Sequence, residues 1–260
     1  MPNIIACYKW VIDEADIKVD AKTRELQFDR VNYKISEYDR NAIEEAVKIC
    51  EAQGGEVIAL TAGTEKARAS LKDALSRGPA QAIYVNDELL GNADAFITAR
   101  VLAKAVAKVP DYQMIICGEG SSDQYNQQVG PQLAALLGIP AITFVNKLTV
   151  LPDKVVAERK LEDGIEVVEA AYPVLVTVLP DINKARIPSL KQILGASKKP
   201  VKEIKLPELV LTPEELKPRF KVASTLAYVM ARKQQRITGD SINEMAEKAA
   251  AALIKEGVVG

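Results

Sequence analysis

The sequence predicts an α/β fold: a parallel sheet with helices on both faces, followed by a C-terminal arm. Short apolar runs recur at "NIIACY" (3–8), "EVIALTA" (56–62), "QAIYVN" (81–86), "YQMIICG" (112–118) and "AITFVNKLTVL" (141–151). Stretches of about 12–18 residues with helical spacing separate them, the alternation of βαβ units. The runs are continuously apolar, as strands covered on both sides should be.

Each element has a local reason. "IKVDAKTRELQFD" (17–29) reads as two short strands around a polar turn. In "SEYDRNAIEEAVKICEAQGG", Ser36 and Asp39 have the S-x-x-[DE] spacing of a helix start. Ile43, Val47 and Cys50 then recur at helical spacing, and Gly54-Gly55 ends the helix. A second helix puts Ala67, Leu71 and Ala74 on one face and stops at Gly78. A third, over 92–110, is expected to turn Phe96, Ala99, Ala103 and Val106 inward. After the strand at 112–118 the chain is expected to pass through a polar stretch into a helix with Val129, Leu133, Leu136 and Leu137 on one face, closed by Gly138 and Pro140. Beyond residue 150 come a hairpin at "EDG" (162–164) and a strand at 174–179. A last helix, 241–257, opens on a Ser241–Glu244 capping box.

Composition narrows the function. The 260 residues are 48% hydrophobic with net charge −1, which is globular and gives no global attraction to nucleic acid or anionic membrane. No apolar run nears the roughly 18 residues of a transmembrane helix, and the start shows no signal-peptide pattern. The cysteines, Cys7, Cys50 and Cys117, are odd in number and widely spaced without CxxC, so reduced thiols and a cytoplasmic location are expected. Cys50 is read as a small buried hydrophobe. There is no histidine. Imidazole bases, Ser-His-Asp and Cys-His machinery and His-ligated zinc are thereby excluded. No catalytic side chain and no metal ligand set is expected, which favours binding a molecule that brings its own chemistry.

The stretch "CGEGSSDQYNQQVG" lies at a strand's carboxyl end, where ligands bind in parallel α/β sheets. Gly118 and Gly120 let backbone approach a ligand closely. Ser121, Ser122 and Asp123 offer hydroxyl and carboxylate groups, Gln127 and Gln128 offer amides, and a helix start nearby would attract phosphate. A nucleotide site and a plain Gly/Ser turn with a helix cap both account for these residues. Cys7-Tyr8-Lys9, Ser36 to Asp39 and Thr61-Ala62-Gly63 end or begin neighbouring elements and could converge there, with Cys7 and Ala62 small enough to admit a flat ring. From 181 to 205 seven basic residues face only Asp181 and Glu203, with Ile187, Leu190, Ile193 and Leu194 interleaved. A solvated charged face and an amphipathic docking segment both fit that pattern. Nucleic acid fits less well, because the region has no aromatic residue for stacking.

The blocks "ACYKWVIDEADIKVD", "ISEYDRNAIEEAVKI", "VIALTAG", "DALSRGPAQAIYV", "IICGEGSSDQYNQQVGPQLAALLGIPAITFV" and "RIPSLKQILGASKKPV" occur in order. Together they resemble the beta (small) subunits of electron transfer flavoproteins, most closely the FixA-like branch, over the chain to about residue 205. The resemblance implies a Rossmann-like nucleotide-binding domain over 1–180, a partner-recognition loop over 181–205 and an arm over 206–260 that packs on an alpha subunit. The arm's apolar positions include Phe220, Val222, Leu226, Val229, Ile242, Met245 and Leu253.

The resemblance further implies an alpha subunit that carries the electron-transferring FAD, and an adenine nucleotide in the beta subunit. That nucleotide is AMP in ordinary members and a second FAD in members that bifurcate electrons from NADH. The implied binding positions are Cys7, Lys9, Ser36, Glu37, Tyr38, Asp39, Ala62, Gly118, Glu119, Gly120, Ser121, Ser122, Asp123, Gln124, Tyr125, Asn126, Gln127, Gln128 and Val129. Leu190, Lys191 and Ile193 are implied to dock on an acyl-CoA dehydrogenase-type partner. The ordinary AMP-binding pattern resembles "QAIDDDxxQTG"; here Val129 replaces its threonine and the acidic cluster shrinks to Asp123. That departure raises FAD over AMP. A regulatory protein that senses adenine nucleotide would explain the α/β pattern but not the docking segment.

Overall fold

The apolar runs become strands of one sheet, in a computed structural model that describes residues 3–228 and 232–259. Val229 of the arm lies outside the described residues. In chain order the elements are β1 (Asn3–Cys7), β2 (Trp10–Ile12), β3 (Lys18–Val19), β4 (Leu26–Gln27), β5 (Tyr33–Ile35), α1 (Glu37–Gln53), β6 (Glu56–Gly63), α2 (Ser70–Ser76), β7 (Gln81–Asn86), α3 (Ala95–Val106), β8 (Tyr112–Gly118) and α4 (Val129–Leu137). They continue with β9 (Ala141–Val150), β10 (Lys154–Lys160), β11 (Ile165–Ala171), β12 (Val174–Val178), α5 (Leu190–Ala196), β13 (Val201–Lys205) and α6 (Ile242–Lys255).

The large sheet runs β11-β10-β9-β12-β8-β1-β6-β7-β13. From β9 to β13 neighbouring strands are parallel, while β10 and β11 extend the β9 edge antiparallel around the expected "EDG" turn. Two small pairs, β2 with β5 and β3 with β4, are separate two-stranded sheets.

The alternation of β1 shows why its sequence has no polar face. Ile4 and Ala6 join the core under α1 and α2, whereas Ile5 and Cys7 join the core under α3 and α4. Both cores are packed with fully buried side chains such as Ile43, Ile116, Ile115 and Leu133. Each contributes roughly 1.5–3 kcal/mol relative to exposure.

Helix α4 begins at Val129, and residues 124–128 before it are loop, with Tyr125 and Gln127 at positive φ (48° and 57°). Three expectations about burial are corrected. Leu136, expected inward, is exposed. On α3 the buried face is Ile97, Ala99, Val101, Leu102, Ala105 and Val106, while Phe96 and Ala103 are only half-buried. The guanidinium groups of Arg100 and Arg219 lie over the Phe96 ring at 3.3 and 4.4 Å from its centroid. Cys50 is half-buried against the core.

Past residue 180 the chain does not leave the sheet. Arg186 meets Glu44 and Glu51 of α1, α5 packs on α2 through the buried Ala196, and β13 pairs in parallel with β7. The Lys199 ammonium donates to the carbonyls of Leu75 (2.8 Å), Gly78 (3.3 Å) and Pro79 (2.6 Å). One compact unit therefore comprises Met1–Lys18 and Gln27–Ser224. A second comprises Val19–Leu26 and Thr225–Gly260, in which Ala227 N–H donates to the Arg24 carbonyl at 2.9 Å. Its helix α6 starts at Ser241, whose hydroxyl accepts from Glu244 N–H, and buries none of its residues. The expected reciprocal bond is displaced by one residue: the Glu244 carboxylate accepts from Asp240 N–H. No helix among the described residues is long and apolar enough to cross a membrane.

Candidate functional site

From β1 the chain moves to β6 and β7 on one side, then returns to place β8 on the other. The strand order thus reverses between β1 and β8, which opens a crevice at their carboxyl ends. A cavity of about 470 Å³ lies there. Cys7, Ala62 and Cys117 line it as small groups. A hydrogen bond to the Cys7 thiol, with burial, holds the Cys117 thiol well above its usual range, so it stays protonated. The lining also includes most of residues 118–130, together with Trp10 and Tyr33 supplied by the paired β2 and β5. Their rings stack with centroids 6.3 Å apart, and the Lys66 ammonium sits 5.8 Å from the Tyr33 centroid. The lining continues through Asp94, Ala95 and Thr98 at the start of α3.

Helix α1 ties the strand ends together. Ser36 is its N-cap residue but makes no side-chain cap; its hydroxyl accepts from Ser122 N–H at 3.2 Å. Asp39 is buried, and its two carboxylate oxygens accept from Lys9 N–H (2.8 Å) and Gly118 N–H (3.2 Å). Burial raises its pKa from 3.8 to about 7 against the pull of those two donors and of the Lys9 charge. The S-x-x-[DE] pair that marks the helix start is thus spent on the crevice rather than on the helix. Gly118 has no room for a side chain: a Cβ would lie 2.6 Å from Asp39 Oδ1 and 2.8 Å from the Tyr38 backbone.

The loop after β8 is shaped by three contacts. Lys9 and Asp123 form an ion pair at 2.7 Å. Burial pushes the Asp123 carboxyl up, but the Lys9 charge and hydrogen bonds outweigh it and hold the group below its usual range. Tyr125 O–H donates to the Glu119 carboxylate at 2.7 Å, and its ring packs 5.2 Å from Tyr38 and directly over Gly120. That bond to Glu119 pushes the Tyr125 phenol up to about 12, and burial raises Glu119. The backbone N–H groups of Gly120, Ser121, Val129 and Gly130 have no acceptor among the described residues. Uncommitted N–H groups beside a helix start suit an anion.

Most of the residues picked from sequence converge on the cavity: Cys7, Lys9, Asp39, Ala62, Gly118 to Ser121, Asp123, Gln124 and Asn126 to Val129 line it. Ser36, Glu37, Tyr38, Ser122 and Tyr125 do not. Ser36 and Ser122 bond each other behind the lining, and Tyr38 with Tyr125 forms an aromatic pair outside it. Sequence reasoning missed Trp10, Tyr33, Lys66, Asp94 and Thr98. "KWVI" directly after the first strand and "NYKIS" directly before the first helix were the available signal, since both adjoin positions already chosen.

The segment 184–200 carries its apolar residues outward. Ile187 is 93%, Leu190 71% and Leu194 62% exposed, and Lys191 and Ile193 are exposed beside them. A Ser189–Gln192 capping box fixes the start of α5, so Leu190 projects from a defined turn.

The family model described as "Electron transfer flavoprotein domain" matches residues 25–209. The "Electron transfer flavoprotein subunit beta" of Thermoanaerobacterium thermosaccharolyticum is 38% identical over 215 residues, 82% of each chain. With a crevice of this architecture and matches over most of its length, the chain belongs to the electron transfer flavoprotein family, as a beta subunit.

Proposed function

We propose that this beta subunit holds FAD in the crevice between β1 and β8, and that it works as an electron-carrying partner of an alpha subunit rather than as a stand-alone enzyme. The observation that carries the reading is that one cavity is lined both by the 118–130 loop and by the stacked rings of Trp10 and Tyr33. The loop's uncommitted N–H groups suit phosphate, and the two rings suit a second flat ring, so a dinucleotide uses both features. Lys9 is held by Asp123, Gln127 and Gln128 present amides, and the small Cys7 and Ala62 leave room for ring atoms. When bound, FAD supplies acceptance of hydride from NADH and division of the electrons between two acceptors. The chain's residues position the group and shape its surroundings.

The second reading is AMP, which would occupy the loop end and leave Trp10, Tyr33 and Lys66 without a ligand. Acid extraction of the purified heterodimer separates the two. Two FAD and no AMP per heterodimer supports the proposal, one FAD and one AMP replaces it with the second reading, and an empty beta site removes both.

The partner side of the proposal assigns the exposed apolar residues of 184–200, with Leu190 as anchor, to an acyl-CoA dehydrogenase-type protein. The arm beyond residue 224 is assigned to the alpha subunit, since α6 leaves Ile242 80% exposed. A cytoplasmic location follows from the reduced thiols.

A further inference from the structure

Helix α1 touches both of these surfaces. Its first turn holds the crevice: Ser36 receives Ser122 N–H, and Asp39 receives Lys9 and Gly118 N–H. The next turns hold the root of the docking segment. Asn41 Nδ2 donates to the Pro180 carbonyl (3.1 Å), the Asn183 carbonyl (2.8 Å) and Asn183 Oδ1 (2.9 Å). Asn183 Nδ2 returns bonds to the Asn41 carbonyl (3.0 Å) and Glu45 Oε2 (2.9 Å). The buried Glu44 carboxylate takes Arg186 N–H at 3.1 Å and the guanidinium Nε and Nη2, at 2.7 and 3.0 Å. A shorter bridge runs beside the helix, where Glu119 N–H donates to the Val178 carbonyl at 3.1 Å and so joins the loop after β8 to the end of β12.

The two ends of this network differ in how they are held. The docking root is bonded to α1 by amide and guanidinium groups, and is held elsewhere by Arg77, which donates to the Arg186 carbonyl at 3.3 Å, and by the Lys160–Asp181 ion pair at 3.1 Å. The crevice loop has only a few bonds of its own and uncommitted N–H groups that a ligand would engage. A ligand there favours the arrangement in which Ser122 and Gly118 stay on the first turn of α1, and so favours the helix position on which the docking root depends. Differential binding of that kind shifts an equilibrium, and the effect is reciprocal between the two sites.

We propose that α1 makes the order of the docking segment depend on occupancy of the nucleotide crevice, with the Asn41–Asn183 amide pair as the joint and Asn183 and Arg186 as positioning residues. The inference rests on the reading that 118–129 holds a nucleotide and 184–200 docks a partner. Its consequence is that a subunit lacking its nucleotide presents Leu190 on a loosened segment, so an incomplete carrier competes poorly for the dehydrogenase.

Hydrogen exchange on the heterodimer tests it, with the beta site depleted and then reloaded with FAD or with AMP. Reloading should slow exchange in 118–129 and also in 184–198, the latter by about fivefold or more, the lower range of site-to-site coupling. Slowing in the loop with no change in 184–198 overturns the inference and leaves the nucleotide site intact. No slowing in 118–129 with either nucleotide overturns the site reading and the coupling with it. In Asn183→Ala and, independently, Arg186→Gln, reloading should still slow 118–129 while 184–198 stops responding. A wild-type response of 184–198 in both variants would remove the joint.

Discussion

Asp39→Asn replaces the buried carboxyl that joins α1 to the ends of β1 and β8. Asp39 is buried, and its carboxyl is raised from 3.8 in the unfolded chain to about 7, chiefly by burial. Between those values the folded state binds more protons than the unfolded state, so stability contributed by this group is full below about pH 3.8 and falls as pH rises through 7. The charged form is therefore held at a cost of about 4 kcal/mol, of which about 3 accrues between pH 5 and pH 8. Asp39→Asn removes the titration but mismatches the site. Both carboxylate oxygens accept an N–H, whereas an amide offers one oxygen and turns an NH₂ towards the other donor. That mismatch costs about 1–3 kcal/mol at any pH. The variant should be less stable than wild type at pH 5 and should draw level or overtake it by pH 8. Thermal melts of both heterodimers across that range check this, with the difference in Tm changing by roughly 5–12 °C in the variant's favour. Parallel Tm profiles would refute the argument, because they would mean Asp39 keeps one protonation state throughout.

Gly120→Val places a branched side chain where a Cβ already lies 2.7 Å from the Tyr125 ring, and Asp123→Lys sets two ammonium groups against each other; each should leave the beta site without stoichiometric nucleotide on extraction. Leu190→Ala should slow electron transfer to the dehydrogenase about thirtyfold at subsaturating partner, the effect of losing about 2 kcal/mol at a hot spot, with flavin content and subunit assembly unchanged. A wild-type rate, or lost flavin, would dismiss the docking assignment. The subunit expressed without its partner should self-associate in dilute solution by ultracentrifugation, since Phe220, Val222, Ile242 and Ile254 are all more than half exposed; a monodisperse folded monomer would count against a requirement for the alpha subunit.

The middle of the sheet was legible because its strands announce themselves by continuous apolar runs that only a doubly covered strand needs; β13 was not, because "VKEIK" is an edge strand with three charged residues. The helix faces were less so. Helix α3 is apolar nearly all round, so its sequence permits several orientations, and packing against α4 and the sheet selects Ile97, Val101 and Leu102. Gln124 to Gln128 lack helix breakers and read as the approach to a helix. They remain loop because Tyr125 is drawn back to Glu119 and Tyr38, contacts that no local pattern displays. Ser36 and Asp39 show the same limit from the other side. Their spacing correctly placed the start of α1, but the donors they satisfy come from Lys9, Gly118 and Ser122, far away in the chain. The crevice lining at Cys7, Ala62 and all of 118–129 except Ser122 and Tyr125 was visible from strand ends and glycines. Trp10 and Tyr33 were not, because a cavity wall built from a two-strand pairing needs the pairing itself.

The return of the chain to the sheet at β13 has a consequence for how such carriers diversify. The stretch from Ile187 to Lys198 is clamped upstream by Arg186 on α1 and downstream by Lys199 on the carbonyls that follow α2. Its ends are tied to the core, and lengthening such a closed loop costs little, about 0.6 kcal/mol for each doubling. Apart from the buried Ala196, which packs on α2, the stretch can therefore change its residues without rebuilding its anchors. On the docking proposal, grafting the corresponding residues of another carrier between Arg186 and Lys199 would change which partner is met while the residues that line the crevice keep their identity.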